Sequence, residues 1–142
     1  MGTQQILFIT LSIIIVGIAV SVGLYAVKKQ AMNVNRSAII SEMNYIASTA
    51  IAYYKTPLNQ GGGGGEWSSR EILYAYINLE TTSNGDRLVT ENGQIEITIR
   101  ENGQQLNFLG FGYEIGLDDI NAVRARLILN GPQADPTLIF IN

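Results

Sequence analysis

Few side chains in this 142-residue sequence could carry out catalysis. There is no histidine and no cysteine, which excludes the usual general base near neutral pH, the Ser-His-Asp and Cys-His arrangements and nearly all zinc sites. Carboxylate chemistry remains, and Asp118 and Asp119 in GLDDI form the one adjacent acidic pair. A calcium site needs six to eight oxygen ligands, and no EF-hand spacing is present. We interpret the pair as a solvated turn, and the composition favours a protein that is not an enzyme.

A run of glycines, Gly61 to Gly65, raises the possibility of phosphate binding. The lysine and the Ser/Thr of a Walker motif are missing, as is a preceding strand. A net charge of -3 also provides no basic field for nucleic acid. We therefore predict no cofactor, no metal and no nucleic-acid partner. The glycines are interpreted as a flexible connector or as backbone lying tightly over neighbouring surfaces.

Two further patterns concern modification and electron transport. NRS at 35–37 fits the N-glycosylation pattern at Asn35, and its use depends on the source of the protein. Seven tyrosines could carry electrons along stacked rings. However, Tyr25, Tyr45, Tyr53 and Tyr54 fall in a predicted helix, where packing is the simpler explanation.

The longest apolar run, ILFITLSIIIVGIAVSVGLYAV at 6–27, contains no charge. As a helix it would cover about 33 Å, close to the hydrocarbon thickness of a bilayer. A signal peptide has a basic start, a shorter apolar region and a cleavage site. Here the start MGTQQ has no charged side chain, and Lys28 and Lys29 follow the run directly. We predict a transmembrane helix that the mature protein keeps.

The position of the charges leaves two topologies open. Lys28 and Lys29 are the only basic residues near the run, and the positive-inside tendency would place them in the cytoplasm with the whole remaining domain. An exported domain would require a larger positive charge before Met1 than Lys28 and Lys29 provide after the run. Either the domain is cytoplasmic, or a basic leader has been removed and Met1 is a processed terminus.

Small residues within the run are spaced for helix packing. Gly17 and Ser21 are four residues apart, as are Ala19 and Gly23, and this spacing lets helix backbones approach closely. The alternative is that glycine is simply common in membrane helices. Gly17 and Gly23 also weaken a helix by about 1 kcal/mol each in water relative to alanine, so bending or local melting could occur there.

The helix is expected to continue beyond the apolar run, because no proline or glycine follows until Pro57. Apolar residues recur at helical spacing and predict a buried stripe. The stripe comprises Met32, Ile39, Met43, Ile46, Ala50 and Tyr53. The opposite side is predicted to carry Asn35, Ser41, Asn44 and Ser48, all polar and uncharged. One helix should run from about residue 3 to about 54 and end at Thr56-Pro57.

A second, short helix is predicted after the glycines. Ser68 and Glu71 have capping-box spacing, and apolar residues at helical intervals follow in EILYAYINL. The apolar positions are Ile72, Leu73, Tyr76 and Leu79. Trp67, Tyr74 and Tyr76 are interpreted as packing aromatics rather than as ligand-stacking residues.

From residue 84 the sequence alternates with a period of two. QIEITIR places three isoleucines on one face, and ENG at 91–93 and 101–103 predicts two hairpin turns. QQLNFLGFGYE continues with Gly110, Gly112 and Gly116, which indicate a bulge or a close backbone approach. AVRARLILN and TLIFIN complete an antiparallel sheet of four or five strands. Its apolar face needs a cover, and the stripe at 32–54 is the candidate.

These patterns predict an α+β fold with four segments. Residues 1–29 form the apolar half of the long helix, and residues 30–55 its amphipathic half. Residues 56–67 are a Gly-rich connector, and residues 68–142 form a head with a short helix and the sheet.

The N-terminal thirty residues, MGTQQILFITLSIIIVGIAVSVGLYAVKKQ, together with this architecture, resemble type IV pilins and pseudopilins. The resemblance implies that a prepilin peptidase removes a basic leader and that Met1 becomes the N-methylated terminus. It further implies that the subunit waits in the inner membrane until a pilus assembly machinery extracts it into a helical filament. The core of that filament is the bundled apolar helices.

The sequence departs from the family at three points. The family usually has Glu at position five, where it neutralises a neighbour's terminal amine, and here Gln5 can accept a hydrogen bond but brings no charge. The proline that the family has near position 22 is Val22, although Gly17 and Gly23 could loosen the same region. The C-terminal disulfide loop of many pilins cannot form, because there is no cysteine.

The leading hypothesis is a structural subunit of an extracellular pilus-like homopolymer. The alternative is a minor pilin or pseudopilin, or a monomeric single-span accessory protein of a secretion system. An enzyme that uses carboxylates alone comes third. Adhesion, motility, DNA uptake, secretion and conductivity are not distinguished by these residues.

Overall fold

The fold is described from a computed structural model that covers residues 2–116, 120–132 and 136–141. Met1 and the Asp118-Asp119 pair, interpreted above as a turn, lie outside these residues. The elements follow in the order α1, α2 and then five strands. Their bounds are α1 Thr3–Lys55, α2 Arg70–Ile77, β1 Leu88–Val89, β2 Gly93–Arg100, β3 Gln105–Ile115, β4 Ala122–Asn130 and β5 Thr137–Phe140.

Helix α1 is a single helix of 53 residues, roughly 80 Å long. It is continuous through Gly17 and Gly23, and it ends at Lys55. Thr56 is extended (φ -78°, ψ 130°), because the ring of Pro57 disfavours a helical residue before it. The predicted continuous helix is therefore confirmed.

The head is built on an antiparallel sheet in which each strand pairs with the next along the chain, β1 to β5. The central register places Ile97 opposite Phe108 and Phe108 opposite Leu127. All three are buried and point toward α1. Because one sheet face packs on one helix, the predicted α+β arrangement is confirmed, with five strands.

The predicted apolar stripe of α1 is the part of the helix that covers the sheet. All six of its residues, Met32 to Tyr53, are 3% exposed or less. The predicted position of Asn35 on the opposite, polar side was wrong, because Asn35 is buried with the stripe. Its spacing explains this, since Asn35 lies three residues after Met32 and four before Ile39.

Glycines on the inner face of β3 let α1 approach the sheet closely. A Cβ added at Gly110 would lie 2.5 Å from Cγ2 of Ile39 and 2.8 Å from Sδ of Met43. A Cβ at Gly112 would collide with Oδ1 of Asn35. The predicted close backbone approach is confirmed, and β3 also shifts register between Phe111 and Ile115.

Helix α2 begins one residue later than predicted. Ser69, not Ser68, is the N-cap and accepts a hydrogen bond from the Ile72 nitrogen at 3.3 Å. The Ser68 hydroxyl instead lies 3.3 Å from the hydroxyl of Tyr53. The helix ends at Ile77, and its C-cap Asn78 adopts the left-handed conformation (φ 57°).

The predicted short helix is present, and the apolar residues that mark it are only partly buried. Leu73 and Tyr74 are buried, whereas Ile72, Tyr76 and Leu79 are 52%, 38% and 37% exposed. The helix is short and inserts the middle of its sequence into the core. Three of the four apolar residues at helical spacing are therefore exposed in the single chain.

Both predicted hairpin turns are present. In the first, the loop residues are Glu91 and Asn92, and Gly93 already pairs in β2. In the second, Glu101 and Asn102 both have φ 52° and Gly103 has φ 80°. The second ENG turn thus places three successive residues in the left-handed region, where asparagine and glycine are the most tolerant.

The glycine run covers the C-terminal end of α1. The nitrogens of Gly63 and Gly65 donate to the carbonyl oxygens of Tyr53 (2.8 Å) and Tyr54 (2.9 Å). A Cβ at Gly63 would lie 2.7 Å from Cε1 of Tyr53. The last carbonyls of a helix lack partners within the helix, and here the glycine backbone supplies them. Of the two interpretations of this segment, backbone lying tightly over a neighbouring surface is the one observed.

Candidate membrane and assembly site

The apolar half of α1, defined as residues 3–29, is not buried by the head. Its fifteen large apolar side chains, from Ile6 to Val27, are between 50% and 68% exposed. Its most apolar 18-residue window has a mean hydropathy of 2.7, and none of it is buried. By length and composition, this helix could cross a membrane.

Three hydroxyl groups within this half are satisfied by the helix itself. Thr10 donates to the Leu7 carbonyl oxygen (2.9 Å), Ser12 to that of Phe8 (2.7 Å) and Ser21 to that of Gly17 (2.9 Å). A polar group in an apolar environment is costly unless it is hydrogen-bonded. These three side chains can therefore enter lipid or a helix bundle, because they keep their hydrogen bonds to the helix when water is removed.

The two ends of the apolar half are polar. Tyr25, which is 64% exposed, is followed by Lys28 and Lys29, and this order is typical of a membrane–water interface. At the other end, the Gln5 nitrogen donates to the Gly2 carbonyl oxygen at 3.0 Å. The Gln5 side chain is exposed, and Met1 lies outside the described residues. The predicted pairing of position 5 with a terminal amine stays a prediction.

The small residues of the apolar half have no role in the single chain. A Cβ added at Gly17 or Gly23 meets no atom within 4 Å, and neither residue has a positive φ. Ser21 folds back onto Gly17, and Ala19 and Gly23 form the second small pair. Within the described chain, neither sterics nor backbone conformation requires these glycines, although each weakens the helix by about 1 kcal/mol in water.

The exposed side of α1 continues this surface along the head. Between residues 33 and 48, the exposed side chains are polar and uncharged, with two large apolar or aromatic exceptions. These are Val34 and Tyr45, which are 62% and 68% exposed. The polar residues are Asn33, Ser37, Ser41, Asn44 and Ser48. The interpretation that packing explains the helix tyrosines is correct for Tyr53 and Tyr54 only, because Tyr25 and Tyr45 are exposed in the single chain.

A polar cluster that sequence reasoning missed fixes α1 on the sheet. Nδ2 of Asn35 donates to the Asn92 carbonyl oxygen (2.9 Å), and Oδ1 of Asn35 accepts from the Glu114 nitrogen at 3.4 Å. Nδ2 of Asn92 donates to Oε1 of Glu42 at 2.7 Å. The nitrogen of Asn35 to which a glycan would be attached is therefore engaged in the fold.

The groups with shifted pKa values support the head rather than a reaction centre. Burial raises the pKa of Tyr74, whose hydroxyl donates to the Asp86 carbonyl oxygen and accepts from the Ile97 nitrogen, both at 3.0 Å. A hydrogen bond from the Thr82 hydroxyl lowers the pKa of Asp86. Among the residues that the structure describes, no group of three or more acidic side chains could hold a metal.

Comparison with protein-family models, curated proteins and solved structures gave no match for this chain. These comparisons therefore assign the chain to no family.

Proposed function

We propose that this chain is a structural subunit of a type IV pilus-like filament that assembles through bundled apolar helix halves. The observation that carries the proposal is the continuity of α1. One unbroken helix has an uncovered apolar half and a second half that forms the core of the head. Because the apolar half of α1 is continuous with the helix that forms the core of the head, the way the apolar halves pack together also determines how the heads are arranged.

The energetics favour exchange of lipid for other copies over exposure to water. Apolar surface kept from water is worth about 25 cal/mol per Å², so fifteen exposed apolar side chains need a cover at every stage. The inner membrane provides that cover before assembly, and neighbouring helices provide it afterwards. A homopolymer at the cell surface is the resulting state.

The glycines support contact with other helices. A lone membrane anchor gains nothing from Gly17 and Gly23, because lipid accommodates larger side chains equally well. Small residues four apart let two helix backbones approach closely. A second copy of the apolar half is a partner that would make these residues useful.

The uncharged exposed side of α1 between residues 33 and 48 supports the same function. Serines and asparagines form weak, replaceable hydrogen bonds with a neighbour. No exposed side chain on this side of the helix between residues 33 and 48 carries a charge that would repel the same side of another copy. This surface lies directly above the apolar half on the same helix, so both would meet neighbouring copies together.

Processing and position within the filament follow from the resemblance. A prepilin peptidase would remove a basic leader, Met1 would be N-methylated, and a pilus assembly machinery would extract the subunit from the inner membrane. Gln5 brings no charge to meet the terminal amine, and a buried ammonium without a counter-ion is costly. Gln5 is therefore also compatible with a minor pilin or pseudopilin.

A second candidate function is a monomeric, single-span accessory protein of a secretion system. The specific observation in its favour is the order Tyr25, Lys28, Lys29 at the end of the apolar half, which suits a permanent membrane interface. In this function the helix would remain in lipid, and the small residues would have no partner.

Cross-linking distinguishes the two functions, because the chain has no cysteine of its own. A chain with Ala19→Cys and Ser21→Cys, two positions that point to opposite sides of the helix, treated with a short bismaleimide in intact cells, should give a ladder of covalent oligomers if the apolar halves are bundled. The single variant Ser21→Cys, with one thiol per chain, is the control and should stop at the dimer. Monomers alone in both variants would refute the filament and favour the anchor.

A further inference from the structure

The side of the sheet turned away from α1 carries an unusual set of residues, which we call the arginine face. Its central row is Glu96, Leu109, Arg126 and Ile139 across four strands, and the next row pairs Phe111 with Arg124. The guanidinium carbons of Arg87 and Arg124 lie 4.2 and 5.6 Å from the Phe111 ring centroid. The exposed face of an antiparallel sheet is commonly polar, but this one combines apolar side chains with guanidinium groups.

Charge is distributed unevenly between this face and the rest of the molecule. The face has four arginines, Arg87, Arg100, Arg124 and Arg126. Among the described residues, two acidic side chains form ion pairs with them, because Arg87 is 4.0 Å from Asp86 and 3.5 Å from Glu96. The other residues that the structure describes include five basic and seven acidic ones. The arginine face is thus a positive area on an acidic protein.

The complementary surface is the exposed side of α2 and the residue pair that follows it, here called the acidic α2 face. It consists of Glu71, Ile72, Tyr76, Leu79 and Glu80, all of which are exposed. Glu71 has an exposed ion pair with Arg70 at 3.7 Å, and an exposed pair of this kind is weak enough to be exchanged. Its apolar members, Ile72, Tyr76 and Leu79, are 52%, 38% and 37% exposed in the single chain.

The two faces lie on opposite sides of the sheet. Helix α2 is on the same side as α1, because the Tyr76 ring packs edge-on against Tyr53 with centroids 5.2 Å apart, and Leu73 belongs to the core beneath α1. A contact between the arginine face of one copy and the acidic α2 face of another would therefore be heterologous. Heterologous contacts form rings or open helical assemblies rather than closed dimers.

We propose that the arginine face of one copy docks against the acidic α2 face of a second copy and sets the head-to-head contact of the assembly. The proposal rests on the filament function above. Guanidinium groups form bidentate hydrogen bonds with carboxylates, so Arg100 and Arg126 would form ion pairs with Glu71 and Glu80. The exposed Ile72 and Tyr76 would be covered by Leu109 and Ile139. An anionic polymer would be a poorer occupant, because it offers nothing to those apolar side chains.

The test uses full-length chains in membranes or filaments, with a cysteine at the centre of each face. Chains carrying Ile139→Cys are co-expressed with chains carrying Ile72→Cys, and the mixed disulfide is measured after mild oxidation. We expect this heterodimer to form, whereas replacing Ile72→Cys by Asn44→Cys, on the polar side of α1, should give at least tenfold less. Adding Arg100→Glu and Arg126→Glu to the Ile139→Cys chain should lower the yield at least fivefold. Glu71→Arg and Glu80→Arg on its partner should restore it.

The outcomes separate this proposal from the function on which it rests. If the Ala19→Cys/Ser21→Cys chain gives its ladder but Ile139→Cys and Ile72→Cys do not cross-link, the filament stands and the docking proposal is overturned. If neither cross-link forms, the filament itself fails. If single-stranded DNA or polyglutamate binds the full chain through Arg100 and Arg126 while the heterodimer is missing, the face belongs to an anionic polymer, and the proposal is likewise overturned.

Discussion

The side-chain amide of Asn35, in the middle of α1, donates a hydrogen bond to the backbone carbonyl oxygen of Asn92, 2.9 Å away in the turn between β1 and β2. The same amide accepts from the Glu114 nitrogen at 3.4 Å. One buried side chain thus ties the long helix to both of its neighbouring strand ends. Because these hydrogen bonds form only at one rotation and one axial position of α1, they fix the orientation of the helix relative to the sheet.

Asn35→Ala should lower the free energy of unfolding of the head by about 1–3 kcal/mol, since it leaves the Asn92 carbonyl and the Glu114 nitrogen without this partner. The measurement is urea unfolding in mild detergent, followed by the fluorescence of Trp67, the single tryptophan, which is 1% exposed. Ser41→Ala, on the exposed side of the same helix, is the control and should change stability by less than about 0.5 kcal/mol. Equal stability of the two variants would contradict the role of Asn35.

Gly110→Ala should destabilise the head by about 1–3 kcal/mol, because the new methyl group would press on Ile39 and Met43 in a packed core. The same substitution at Gly23, where an added Cβ meets no atom within 4 Å, should leave head unfolding unchanged. Both variants are compared by Trp67 fluorescence. A neutral Gly110→Ala would show that α1 does not lie as close to β3 as described.

Tyr74→Phe should destabilise the head by about 1–3 kcal/mol, because the buried Ile97 nitrogen would lose the acceptor that it has at 3.0 Å. The variant should also change the dependence of stability on pH. Burial raises the pKa of Tyr74, so the unfolded chain loses the phenolic proton first as the pH rises. The stabilisation is therefore complete below the ordinary value of about 10 and is lost progressively as the pH rises through the folded-state pKa.

Unfolding midpoints at pH 8 and pH 11 measure this effect. The difference between wild type and Tyr74→Phe should shrink at the higher pH, because part of the wild-type advantage has been lost. A difference that stays constant or grows with pH would show that the tyrosine is not held in its neutral form by burial.

Gly17→Leu combined with Gly23→Leu should leave the head folded but reduce assembly at least tenfold, equivalent to about 1.4 kcal/mol. Leucine side chains at these positions would separate helices whose backbones approach closely. The polymerised fraction is measured by sedimentation of sheared surface material, and Trp67 fluorescence reports the fold. Ile14→Leu, which conserves volume, is the control. Wild-type assembly by the double variant would remove the glycine argument.

The sequence allowed the main architecture to be predicted because its periodicities are long. The stripe from Met32 to Tyr53 keeps helical phase over more than twenty residues, and the isoleucines of β2 alternate through a whole strand. Proline at 57 marked the helix end within one residue. In each case many side chains act in the same direction, so a single exception does not change the result.

Other features depended on contacts between distant segments and could not be predicted from local pattern. Asn35 is polar, so it was placed on the polar side, although its spacing from Met32 and Ile39 carried the correct signal. The sequence places two serines side by side at the N-cap, and only the structure shows that Ser69 caps α2 while the Ser68 hydroxyl lies 3.3 Å from that of Tyr53. Exposure of Ile72 and Tyr76 follows from how α2 inserts into the core, which its eight residues do not determine alone.

The most direct test of the central claim is electron microscopy of material sheared from the surface of cells that carry this chain and its export machinery, with the chain identified by an antibody to the head. The account predicts filaments that the antibody labels along their length, or at one end for a minor subunit. The chain that carries both Gly17→Leu and Gly23→Leu should give no labelled filaments. If the wild-type chain is instead recovered only as detergent-soluble monomers from the membrane fraction, the apolar half of α1 is an anchor and the claim is contradicted.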